Sequence, residues 1–404
     1  MGIIKNNAVG VKKKKRIESI DILKGISIFW IIGGHLTPVW LMPNSVWIYE
    51  MLYIFFLSNV GPANFIMLSG LNIVLSINSK IDSGLPMHKI RINTMKRIAV
   101  LFIFSILYNY LMSIMTKGLY GVNWYDFYAW YILQIISVSV ILTIYVLRIN
   151  KIIRFLISIF IIMFAYPLYT WISQLGVVGA GISFALYYPF PDIFWAFPFL
   201  PWSACAFIGC IIGEYFYNVI YRADENKKKS VLKKFLIYLS ILGLTFVLIS
   251  IIFGSNGPTN ADKFWYDIAI FHIQKLNTAP FFNLSTLSYM FLPTHWTYMF
   301  YALGCDFLML SILAFLSDYK NYKNKIFNSL SFAGKVSFSI FIYHHFGIPL
   351  FPQTFDFIWI WPAWVGFAIF LIFIIWVDVK KFNGVGTIEW IMVVATMSRK
   401  KKEQ

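Results

Sequence analysis

Ten apolar runs recur along the chain, each close to the roughly 20 residues that a helix needs to cross a bilayer. They cover about 20–41, 52–77, 98–115, 127–147, 153–171, 197–217, 235–254, 297–316, 334–353 and 358–377. Short polar or basic stretches separate them. The pattern predicts an all-α polytopic membrane protein of about ten transmembrane helices with no sizeable soluble domain. A basic N-terminal tail (1–19), the helical domain (20–377) and a basic C-terminal tail (378–404) make up the expected layout. The first run follows a Lys-rich segment, as in a signal peptide, but no small-residue cleavage site follows it, so it reads as a retained helix.

The cations lie in clusters between the runs: Lys12 to Arg16, Lys80 to Arg97, Arg148 to Arg154, Arg222 to Lys234, Lys320 to Lys335 and Lys380 to Lys402. A cytoplasmic N-terminus places all six clusters on the cytoplasmic side. Of 34 Lys and Arg, only Lys117, Lys263 and Lys275 then fall outside, as the positive-inside rule requires. The expected location is the cell membrane, with both termini cytoplasmic. Two longer outer loops, 172–196 and 255–296, are rich in Gly, Pro and aromatics, including Tyr187, Tyr188, Pro189, Phe190, Trp195, Trp265, Tyr266 and Pro280. They suit either an interfacial aromatic belt or a platform on which a sugar or lipid head group stacks.

Composition removes the alternatives. Apolar residues make up 59% of the 404 and charged ones 13%, about half the charge of a soluble globular chain. An aromatic content of 20% and a mean hydropathy of +0.70 exclude a disordered chain. The net charge of +17 raises nucleic acid as a partner. The basic clusters flank apolar runs and lack aromatic interleaving, so the bilayer and its anionic head groups are the expected partner and nucleic acid is not. Cys205, Cys210 and Cys305 lie in apolar segments without a CxxC or HxxxH neighbour. They read as small apolar side chains, and no metal site is expected.

Ionisable groups within an apolar run are costly and mark function. In the first run Asp21 and Lys24 are i,i+3 neighbours that can pair. Lys24 and His35 are eleven residues apart, close to three turns, so they share one helix face about 16 Å apart along the axis. A cation near one leaflet and a titratable base near the other thus lie on one stripe. The ninth run adds His344 and His345, and the eighth adds Asp306, which is either a hydrogen-bonded strut or a proton carrier.

At these residues the chain resembles a family. Arg16-x4-Asp21-x2-Lys24-Gly25-x9-His35 is similar to the opening signature of the transmembrane acyltransferases, the superfamily of acyltransferase family 3 and the heparan-alpha-glucosaminide N-acetyltransferase type. Phe65-x3-Ser69-Gly70, the run Lys89-Ile-Arg91…Lys96-Arg97, Phe199-Leu-Pro201-Trp202 with Gly209 and Gly213, Gly334-x2-Ser337…Tyr343-His344 and Gly384-x-Gly386-x2-Glu389-Trp390 resemble further motifs in the same order.

The resemblance implies transfer of an acyl group, usually acetyl, from cytoplasmic acyl-CoA to a hydroxyl or amine of a glycan or glycolipid on the far side. Acyl-CoA is then a co-substrate, and no tightly bound cofactor or metal is implied. His35, with Asp21, would be catalytic, either as general base or as acyl-carrying nucleophile. Lys24, Arg91, Lys96 and Arg97 would hold the CoA phosphates. Ser69, Asp306 and His344 would position the acceptor or relay protons. Two rivals come from other classes. One is a proton-coupled transporter or flippase using Asp306 and His344/His345, against which the lack of a half-to-half repeat counts. The other is a non-catalytic acyl-CoA or lipid sensor on the same scaffold.

Overall fold

The computed structural model describes residues 16–42, 45, 60–117, 127, 130–187, 197–255, 290 and 295–396. Among these the chain is helical and forms no strand. Helices α1 (Glu18–Trp40), α2 (Pro62–Asp82), α3 (Met87–Lys117), α4 (Ile132–Val146) and α5 (Lys151–Ser173) are followed by α6 (Gly176–Tyr187), α7 (Phe199–Tyr217) and α8 (Glu225–Gly254). The C-terminal part comprises α9 (Trp296–Ala314), α10 (Lys325–Lys335), α11 (Ser337–Tyr343), α12 (Ile360–Lys381) and α13 (Ile388–Thr396). A 3-10 stretch, His344–Leu350, continues α11.

Seven of the helices are long and apolar enough to cross a membrane, or eight if one bent pair counts as a single span. Three of the ten expected spans, the second, fourth and ninth, are not among the seven. Part of the second, 52–59, lies outside the described residues. The fourth is only 15 residues long. The ninth is not one continuous helix: Lys325–Lys335 and Ser337–Leu350 meet at 76°. Residues 172–196, expected as an outer loop, contain the apolar helix α6. Tyr187, at its end, is fully buried and donates a hydrogen bond to the Ala165 carbonyl at 2.8 Å. The other aromatics named for the two outer loops lie outside the described residues. The region 378–404, read as a tail, begins with the last turn of α12 and includes α13.

Small residues set the helix crossings. A Cβ added at Gly25 would overlap the Leu330 carbonyl, and one at Gly334 would overlap the Asp21 carbonyl. Helices α1 and α10 therefore meet backbone to backbone, each supplying a glycine to the other. Gly70 of α2 and Gly209 of α7 do the same against Ala206 and Met67. In a bilayer, where apolar burial between helices gains little, such close packing is a main source of association. Arg154, buried on α5, is tied to Glu214 of α7 by an ion pair at 2.7 Å, which gives this buried cation the partner it needs.

Helix α1 runs through the middle of the bundle. Its first turn is capped from α9's end, where the Asp318 carboxylate accepts from the Glu18 and Ser19 amides at 3.1 and 3.3 Å. An anion there also complements the helix dipole. Its far end is stitched to the segment after α11. The Gln353 amide donates to Val39, the Thr354 and Phe355 amides donate to Trp40, and the Met42 amide donates to Phe355. The Trp40 indole donates to the Gly347 and Ile348 carbonyls at 3.1 and 3.2 Å. These bonds hold the end of α1 that carries His35 against the segment that carries His344.

Candidate active site

The bend between α10 and α11 creates the site. Val336 breaks the helix, and the amides freed at the start of α11 are taken by a carboxylate from α13. Glu389 accepts from the Phe338 and Ser339 amides at 2.9 and 3.3 Å and from the Ser339 hydroxyl. The Ser339 oxygen in turn accepts from the Ile388 amide at 2.9 Å. At the other end of α11 the Tyr343 hydroxyl donates to the Gly386 carbonyl. The segment 384–389 thus clasps α11 at both ends. Burial holds the Glu389 carboxyl above the ordinary carboxylate range, while the bonds it accepts from Ser339 and Phe338 pull the other way.

One turn beyond, His344 and His345 enter the core, both almost fully buried. The His344 Nε2 lies 2.8 Å from the His35 Nδ1, and the two rings stack at 5.0 Å between centroids. The His345 ring is 3.9 Å from that of His344 and 5.1 Å from that of His35. Its Nε2 lies 2.7 Å from the Tyr108 hydroxyl of α3. Phe341, Phe65 and Tyr108 close around the group. Below His35, Pro38 lacks an N–H, so the Gly34 carbonyl has no donor four residues on.

Hydrogen-bond bookkeeping fixes the protons. The His344 Nδ1 faces the Ile340 carbonyl at 3.2 Å and the His345 Nδ1 faces the Phe341 carbonyl at 3.1 Å. A carbonyl only accepts, so both Nδ1 atoms carry the proton, and each neutral ring has a lone pair on Nε2. His35 Nδ1 must then donate to His344, and Tyr108 must donate to His345. The consequence falls on His35. Its Nε2 is left with a free lone pair, and His35 is the only one of the three rings that is partly exposed.

The other expected residues divide between this cluster and the opposite end of α1. Asp21 is buried and pairs with Arg16 at 2.8 Å rather than with Lys24. Fourteen residues separate it from His35, about 21 Å of helix, so it belongs to the basic end. Lys24 is within electrostatic reach of Asp21, Arg16, Glu389 and Arg97. Lys96 and Arg97 are exposed on α3. The Arg91 Nε is buried and has no hydrogen-bond partner among the described residues. Ser69 spends its hydroxyl on the Phe65 carbonyl of its own helix at 2.8 Å. Asp306 is fully buried with neither carboxylate oxygen bonded among the described residues. Among the described residues no hydrogen bond joins it to a histidine. His295 caps α9, accepting from the Thr297 amide at 3.3 Å.

Tyr108, the hold of the motif residue Glu389 on the α11 amides and the placement of His345 beside His35 are the features that sequence reading missed. A metal site was not expected, and yet one ring nitrogen each from His35, His344 and His345 lie within 4.8 Å of one another. The adjacent histidines were the available signal. Their meeting with His35 depends on a bend that no local pattern announces.

Residues 16–253 match the family model described as heparan-alpha-glucosaminide N-acetyltransferase, catalytic. The match holds more than half of the chain and includes Lys24, His35, Ser69 and the basic start of α3, whereas His344 and Glu389 lie beyond it. No curated protein matches the chain. With seven or eight helices able to cross a bilayer, it is a multi-pass membrane protein, and it belongs to the heparan-alpha-glucosaminide N-acetyltransferase catalytic family.

Proposed function

We propose that this membrane acetyltransferase moves an acetyl group from cytoplasmic acyl-CoA to a hydroxyl or amine of an extracytoplasmic glycan or glycolipid, with its N-terminus cytoplasmic in the cell membrane. The observation that carries the reading is the His35–His344 pair, which leaves the His35 Nε2 unprotonated and reachable. As the acceptor oxygen or nitrogen attacks the thioester carbonyl, His35 Nε2 takes its proton, and the C–S bond breaks as the tetrahedral adduct collapses. The proton can return to the departing CoA sulfur, leaving His35 as it began. During this cycle His35 is transiently an imidazolium. Its Nδ1–H points at the His344 lone pair, which favours that charge and keeps the ring oriented.

The basic end of α1 supplies the second half. Lys24, with Arg91, Lys96 and Arg97 on α3, presents cations of the kind that bind CoA phosphates. The helix length between Lys24 and His35 would be bridged by the extended pantetheine arm. A proton-coupled transporter would need Asp306 and His344 on one path. Among the described residues no hydrogen bond links them, and membership of an acetyltransferase family supports transfer instead.

The test is acetyl-CoA-dependent acetylation by the purified full-length protein in nanodiscs, beside His35→Ala and Lys24→Ala. Loss of turnover in His35→Ala with acetyl-CoA binding retained, and weakened acetyl-CoA binding in Lys24→Ala, is the expected result. Wild-type protein that binds no acyl-CoA would overturn the reading.

A further inference from the structure

We infer that His35, His344 and His345 form a site for a borderline divalent cation of the zinc class, and that its occupancy switches transfer off. The site is independent of the proposed activity, whereas its inhibitory effect rests on the reading of His35 as the base.

The geometry suits three nitrogen ligands. One nitrogen from each ring lies within 4.8 Å of the other two. Zn–N bonds of about 2.0–2.1 Å set tetrahedral ligand atoms about 3.3 Å apart, so modest ring rotations reach the required spacing. The His35 Nδ1 and His344 Nε2 atoms, 2.8 Å apart, need to open slightly, and the wider pairs need to close.

Two of the ligands are held as metal-binding imidazoles usually are. His344 and His345 each give Nδ1–H to a backbone carbonyl, which fixes the tautomer and leaves Nε2 as the donor. His35 faces the cluster with Nδ1, so it coordinates through Nδ1 once its proton has shifted to Nε2, and no proton is released. The hydrogen bonds from His35 to His344 and from Tyr108 to His345 are exchanged for coordinate bonds. Water fills the fourth position.

The chemistry selects the ion. Three neutral imidazoles and no carboxylate among the ligands disfavour magnesium and calcium, which take oxygen. They favour zinc, cobalt(II), nickel(II) or copper(II). Because each lone pair of the cluster is then spent on the ion, His35 has none left for the acceptor proton.

The experiment titrates chelator-treated full-length protein in nanodiscs with zinc, and with cobalt(II) as a spectroscopic probe of tetrahedral nitrogen coordination. One ion per chain is expected, with the visible cobalt bands of a tetrahedral site. His344→Ala and His345→Ala should each weaken binding by more than the roughly 10–100-fold that loss of an outer-shell partner costs. His88→Ala, a change at an exposed histidine of α3, should leave it unchanged. Absence of stoichiometric binding, or binding indifferent to both cluster variants while they stay helical and monodisperse, overturns the site. Stoichiometric binding that leaves acetyl transfer intact overturns the inhibition and the base assignment of His35, but not the site.

Discussion

The His35 Nδ1 and the His344 Nε2 stand 2.8 Å apart across 309 positions of sequence. That contact decides which nitrogen of His35 is free. His344 cannot donate to His35, because its own proton is held by the Ile340 carbonyl, so the pair is polarised in one direction only. On the proposed reading His344 is a positioning residue whose effect is felt through His35.

Replacing His344 by Ala therefore removes the acceptor that orients His35 and stabilises its charged form. The expected loss is on the order of 100-fold in kcat, within the range typical of general acid–base contributions. KM for acetyl-CoA should hardly move, since the cations near Lys24 remain in place. Steady-state kinetics with acetyl-CoA varied checks the split. A rise in KM with kcat preserved would place His344 in donor binding instead.

A methyl group at a helix crossing tests the packing. Gly25→Ala or Gly334→Ala drives a Cβ into a carbonyl of the facing helix, so α1 and α10 must separate. Overpacking of this kind costs about 1–3 kcal/mol. Thermal unfolding in detergent should show a clear fall in Tm for each. Gly366→Ala on α12, where nothing lies within 4 Å of the added Cβ, should leave Tm unchanged or raise it slightly, since Ala is the better helix former.

Much of this arrangement is legible in the sequence, and the rest is not for a definite reason. The apolar runs locate most of the long helices because burial in lipid is a property of composition over about 20 residues. The stripe of Lys24 and His35 follows from helical period alone, and the structure keeps both on α1. The glycines of the motifs, Gly25, Gly70, Gly209 and Gly334, announce themselves by residue type, but their partners do not. Crossing geometry is a relation between helices far apart in sequence. For the same reason Asp21 could be assigned to Lys24 by spacing, while the folded chain gives it to Arg16. The 76° bend that brings His345 to His35 is imposed by Gly334 against Asp21 and by Glu389 on the α11 amides. Helix α6 escaped notice because 12 residues fall short of a span.

Glu389 makes that bend depend on protonation. Burial raises its folded carboxyl above the ordinary value of 4.5, so the folded state binds more protons than the unfolded one between the two values. Stability should then fall as pH rises from about the model-peptide range of a glutamate through the folded value. Glu389→Gln, which cannot ionise, should lose that part of the pH slope in unfolding measurements. Glu389→Ala leaves the Phe338 and Ser339 donors unmet and should cost about 1–3 kcal/mol at any pH. An unchanged slope in Glu389→Gln would show that other groups set it.

Lys24 supplies the last prediction, because it separates charge from shape. On the proposed reading acyl-CoA phosphates take a cation at this position, and Arg offers both the charge and a planar fork. Lys24→Arg should therefore keep acetyl-CoA affinity or improve it. Lys24→Ala should weaken it by about tenfold, the equivalent of roughly 1.4 kcal/mol, with kcat at saturating donor little altered. Calorimetric titration of acetyl-CoA against the three proteins reads the order directly. The weakening in Lys24→Ala should also shrink as salt is raised, since an electrostatic contribution near an aqueous surface is screened. Equal affinity in all three proteins would move the phosphate site away from α1 and onto Arg91, Lys96 and Arg97 of α3.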